Sequence, residues 1–71
     1  MATQLYKGYL IISRAYLNKE TESWLPEITV SWSTDGRTSF HSIAPTRDFK
    51  SESEAIFEGF ALARLWIDKR V

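Results

Sequence analysis

Ile28, Val30 and Trp32 alternate with Glu27, Thr29, Ser31 and Ser33, and the run is followed by Asp35-Gly36. Successive side chains of a strand point to opposite faces, so this segment buries one face and wets the other. An Asp-Gly pair between two strand patterns is a strong hairpin signal. The segment from Arg37 to Ile43 is therefore the returning strand, and Ala44-Pro45 ends its ladder because proline has no N–H to donate. An antiparallel sheet is thus required.

The turn sets the register of that hairpin, and a shift of one residue turns every side chain to the other face. A two-residue loop at Asp35-Gly36 sets His41 and Ile43 beside the Ile28, Val30 and Trp32 face. A three-residue loop, with Gly36 in the left-handed bulge position, sets Phe40 there instead. The second register is favoured, because it places a phenylalanine in the core and leaves the histidine wet.

Upstream, residues 5–17 hold Leu5, Tyr6, Tyr9, Leu10, Ile11, Ile12, Tyr16 and Leu17, side chains suited to a pleated surface. They read as one strand, apolar on both faces, with Gly8 marking a bulge or a close backbone approach. Leu10 and Ile12 share one face, and Tyr9 and Ile11 share the other. The polar stretch from Asn18 to Ser23 reads as a surface loop, with the next strand starting near Pro26 and running to Ser33.

Ser51-Glu52-Ser53-Glu54 reads as a capping box, in which the Ser51 hydroxyl accepts from the N–H of Glu54 and the Glu54 carboxylate reaches back to the N–H of Ser51. Glu52 and Glu54 near this end, with Lys69 and Arg70 at the other, complement the helix dipole. A helix over residues 52–69 follows. Its core stripe is Ile56, Phe60, Ala63 and Ile67, with Gly59 beside them to let the backbone approach the sheet. A second stripe, Phe57, Ala61 and Leu65, lies on the far side among charged residues. Aligned apolar residues of this kind form a patch that a partner chain can cover. The expected fold is α+β: one domain over residues 1–71, with a three-stranded antiparallel sheet (5–17, 26–33, 37–43) and a long C-terminal helix on one face.

A chain of 71 residues has a small core. With no cysteine, disulfides do not reinforce it, and one histidine offers no metal-ligand cluster. Three Trp, three Tyr and four Phe supply the bulk instead. Nine basic residues balance nine acidic ones, so the chain lacks the field that gathers nucleic acid or an anionic membrane. A serine triad needs a histidine base, and His41 is the single candidate, with Asp48, seven residues on and across a proline turn, as the acidic residue that could hydrogen-bond to it. The three isolated glycines form no phosphate loop. No catalytic, cofactor or metal site is expected. The start Met1-Ala2-Thr3-Gln4 has no signal-peptide pattern, and the expected location is the cytoplasm.

Phe49-Lys50-Ser51-Glu52-Ser53-Glu54-Ala55, followed by Ala63-Arg64-Leu65-Trp66-Ile67-Asp68, resembles the helix of a class of short uncharacterised bacterial proteins. That helix follows a small sheet and reads F-x-[TS]-x-x-E-A … A-R-x-W-I-D. The resemblance implies a bacterial cytoplasmic protein of β-β-β-α fold and carries no activity. At the level of fold, the hairpin leading into a helix is also similar to the partial RNase-H-like domain of HicB-type antitoxins, which bind a small toxin partner. The Leu-Pro-Gly-Cys-like turn of that family is absent.

The expected function is a non-enzymatic protein-interaction module that binds a second copy of itself or a small protein partner. Its candidate surface is Phe57, Ala61 and Leu65 on the helix, with the open sheet face, carrying Tyr9 and Ile11, as second choice. Nucleic-acid binding through Lys7, Tyr9 and Arg14 of the first strand is the alternative, since aromatic residues on a sheet can stack bases.

Overall fold

The computed structural model describes residues 2–45 and 47–71. Four strands form an antiparallel meander in the order β1 (Ala2–Tyr6), β2 (Tyr9–Asn18), β3 (Ser23–Thr34) and β4 (Arg37–Ile43), and α1 (Glu52–Arg70) follows. The sheet therefore has four strands rather than three. The expected first strand is divided at Lys7-Gly8, where Tyr6 pairs with Tyr9 across a two-residue turn. Lys7 and Gly8 both take positive φ, 50° and 85°. That backbone matches the right-handed twist of the flanking strands, and Gly8 makes it accessible. Gly8 is a turn residue, not a bulge.

The β3–β4 turn is built the same way. Thr34 pairs with Arg37 around Asp35 (φ 51°) and Gly36 (φ 77°). The loop has two residues, so Val30 pairs with His41 and Ser31 with Phe40. His41 and Ile43 accordingly share the Ile28 and Val30 face, and Phe40 points to the opposite face. The favoured three-residue loop is overturned, because aspartate tolerates the left-handed conformation that the shorter turn requires of it.

Pro26 lies inside β3 and is fully buried. Trp24 donates to and accepts from Phe49, at 2.7 and 2.8 Å, along the outer edge of β3. Backbone groups two residues apart on a strand point the same way, so the position of Pro26 would also donate outward. It sits between the Ile28–Ile43 pairing and the Trp24–Phe49 bridge, and no ladder bond is lost there.

Ser51 caps α1 from an extended conformation (φ −134°, ψ 154°), and its hydroxyl accepts from the Glu54 N–H at 3.2 Å. Among the described residues the reciprocal bond from the Ser51 N–H to the Glu54 carboxylate does not form. The helix lies across β2 and β3. Its buried line is Ala55, Gly59, Ala63 and Ile67. Ile56 and Phe60, expected at the centre of the core stripe, are half-buried along one side, with Leu62 and Trp66 along the other. The small residues take the centre because they let the helix backbone come down onto the sheet. Gly59 sits over Ser13, whose buried hydroxyl donates to the Ile56 carbonyl at 3.0 Å. Ile11, Ile28 and Val30 complete the core beneath Ala63 and Ile67.

Candidate functional site

The residues considered for chemistry are kept apart. His41 is on β4 facing the helix, where its ring stacks on Trp66 with centroids 4.4 Å apart and planes 10° from parallel. Asp48 instead accepts from the Ser23 hydroxyl at 2.6 Å. Among the described residues, no group of three or more His, Asp or Glu side chains converges as a metal site. A depression of about 180 Å³ lies against the first turns of α1, lined by Arg47, Phe49, Glu54, Phe57 and Glu58. It includes neither His41 nor Asp48, and ligand sites generally start near 300 Å³.

His41 belongs instead to an aromatic cluster at the C-terminal end of the helix. Tyr9, Trp32 and Trp66 meet there with centroids 5.5 to 6.5 Å apart. Arg70 lies over the rings of Trp32 and Trp66, and its Nε donates to the Tyr9 hydroxyl at 3.2 Å. The cluster fastens the last helical turn to β2 and β3. On the β1 side, Tyr6 and Lys7 both donate to Asp68, at 2.9 and 2.7 Å, and Arg64 donates to Gln4 at 2.9 Å. The hydrogen bond from Lys7, then that from Tyr6, holds the Asp68 carboxyl below its ordinary pKa, and the bond to Asp68 raises Lys7.

The three residues of the nucleic-acid alternative are dispersed by this arrangement. Lys7 is tied to Asp68 at a turn, Tyr9 faces the helix, and Arg14 pairs with Glu27 on the opposite sheet face.

Of the expected interaction residues, Phe57 and Leu65 stand outward, 67% and 58% exposed, with half-buried Ala61 between them. Tyr9 and Ile11 do not belong to the open face. Ile11 pairs with Val30, so both point at the helix, and Ile11 is fully buried. Tyr9 is held in the aromatic cluster. The open face carries Leu10 and Ile12 instead. A signal for this was present in the sequence: Arg14 shares their period-two phase, and a charged side chain marks the wet face.

That open face carries apolar side chains from all four strands. Leu5 of β1, Leu10 of β2, Ser31 of β3 and Phe40 of β4 form one cross-strand row, with Leu5 77% and Phe40 68% exposed. Thr3, Ile12, Thr29 and Ser42 form the next row. Arg14 opposite Glu27 and Tyr16 opposite Leu25 follow. Among the described residues no element covers these rows. No helix there is long and apolar enough to cross a membrane. Comparison with known protein families, with curated proteins and with solved structures returns no match.

Proposed function

We propose that this chain is a non-enzymatic protein-interaction module whose working surface is the uncovered face of its sheet. The observation that carries this reading is the row Leu5–Leu10–Ser31–Phe40, in which two large apolar side chains at the rims stand mostly in solvent. Burying apolar area contributes about 25 cal/mol per Å², so a protein surface that covers such a row gains several kcal/mol before the costs of association. The outer helical stripe of Phe57, Ala61 and Leu65 is the second candidate surface.

The test is site-specific photo-crosslinking in cells. A photoreactive phenylalanine analogue replaces Phe40 on the open face or, as a control, Asp35 at the exposed turn tip. A discrete adduct from position 40 and none from position 35 supports the reading. No adduct at position 40, or the same smear from both positions, refutes it.

A further inference from the structure

Resting on the reading of the open sheet face as an interaction surface, we infer that its partner is a second copy of this chain. The two sheets pack face to face about a twofold axis that runs parallel to the strands, midway between β2 and β3. The helices remain on the outside, giving an α/β/β/α stack.

The register of β2 against β3 points to this axis. Outward from β2 come Leu10, Ile12, Arg14 and Tyr16, and directly opposite them on β3 come Ser31, Thr29, Glu27 and Leu25. The first two pairs set a large side chain on β2 beside a small one on β3. A ridge therefore runs beside a groove, with Ser31 forming a floor that is 8% exposed. A half-turn about the stated axis lays β2 of one copy over β3 of the other. Leu10 then faces Ser31 of the second copy, and Ile12 faces Thr29, so ridge enters groove twice by symmetry. Arg14 faces Glu27 and Tyr16 faces Leu25. At the rims, Leu5 lies against Phe40. An isologous interface requires such self-complementarity, because each residue's partner must recur at the symmetry-related place. Aligned sheets interdigitate their inner side chains across about 10 Å in this way.

Size and charge agree. The two longest extents of the molecule, 43 and 19 Å, set an upper bound on the order of 800 Å² for this face, about the share one partner gives to a standard-size interface. The chain has no net charge, and the Arg14–Glu27 ion pair on this face is neutral, so two copies meet without like-charge repulsion.

The test exploits the facing of Arg14 and Glu27. Sedimentation velocity is run on the wild type, on Arg14→Glu, on Glu27→Arg, and on an equal mixture of the two variants, with circular dichroism confirming that each is folded. The wild type is expected at twice the mass of the chain. Each variant alone sets like charges against each other at both symmetry-related places and should sediment as a monomer. The mixture restores opposite charges at both places and should sediment as a heterodimer. Ile12→Lys, a second and independent disruption, should be monomeric, and Phe57→Asp with Leu65→Lys on the helix should remain dimeric. A monomeric wild type at high micromolar concentration overturns the inference, as does a dimeric wild type whose charge variants fail to recombine. If position 40 crosslinks to a different protein while the wild type is monomeric, the dimer is refuted and the interaction module stands. A monomer with no adduct refutes both.

Discussion

Gly59→Ala tests how the helix meets the sheet. In an open helix interior this change stabilises by about 1 kcal/mol through propensity. Here a Cβ at position 59 would lie 2.3 Å from the Ser13 hydroxyl oxygen and 3.1 Å from Cγ1 of Ile28. The first distance is far inside contact, and Ser13 is itself committed, donating to the Ile56 carbonyl from a fully buried position. If its side chain turns away, a net hydrogen bond of about 1 kcal/mol is lost and a buried hydroxyl is stranded, at about 1–3 kcal/mol. If the helix lifts instead, Ala55, Ala63 and Ile67 lose contact with the sheet, and overpacking of this kind costs about 1–3 kcal/mol. After the propensity gain, the first route nets a destabilisation of about 1–3 kcal/mol and the second about 0–2 kcal/mol, with each kcal/mol lowering Tm by about 4–8 °C in a domain of this size. Urea unfolding followed by tryptophan fluorescence, at one fixed protein concentration, measures it. In a Ser13→Ala background the first clash disappears, so Gly59→Ala should cost less there, with a coupling of about 0.5–3 kcal/mol. A Gly59→Ala protein stabilised by the full propensity gain of about 1 kcal/mol would refute the close-approach argument.

Gly36→Ala meets no atom within 4 Å but must hold φ at 77°, so strain alone should destabilise it by about 1–2 kcal/mol in a thermal melt. Asp68 has its pKa lowered in the folded state, so its contribution is present above the ordinary aspartate range and is lost as pH falls through the folded value. Lys7 is raised, so its contribution holds below the ordinary lysine range and is lost as pH rises through the folded value. Asp68→Asn should therefore flatten the decline in Tm at both the acid and the alkaline end, and identical profiles would contradict the pairing. Arg70→Ala removes a guanidinium 4.5 Å from the Trp32 ring and should cost about 0.5–1 kcal/mol while altering the near-ultraviolet circular dichroism of the cluster.

Local signals in the chain were reliable where the chemistry was local. The Ser51 cap, the β3 alternation and a turn at Asp35-Gly36 all lie within a few residues of what they specify. The Lys7-Gly8 turn has a weak signature in the sequence because lysine carries no marked preference for positive φ, although Gly8 following it suffices to form the turn. The core stripe of the helix is displaced from its bulkiest residues, because bulk is a poor guide to burial where a helix lies close against a sheet. Close approach selects the small residues Ala55, Gly59 and Ala63, and the larger Ile56 and Phe60 flank them.

The candidate surface depended on facts that no single segment contains. Both faces of β2 are apolar from Tyr9 to Ile12, so the apolar pattern there does not separate Tyr9 and Ile11 from Leu10 and Ile12; the phase of Arg14 is the one pointer in the sequence, and the pairing of Ile11 with Val30 decides it. The same holds for Phe40, whose exposure follows from a two-residue turn rather than a three-residue one. The sequence by itself determined an antiparallel sheet, a capped C-terminal helix and an outer stripe of Phe57, Ala61 and Leu65, because turn chemistry, capping and amphipathic period act over short stretches of chain. Only the tertiary structure decided which face of the sheet stays open and what lines it. A side chain's face depends on strand register, and register is set by pairing between segments distant in sequence.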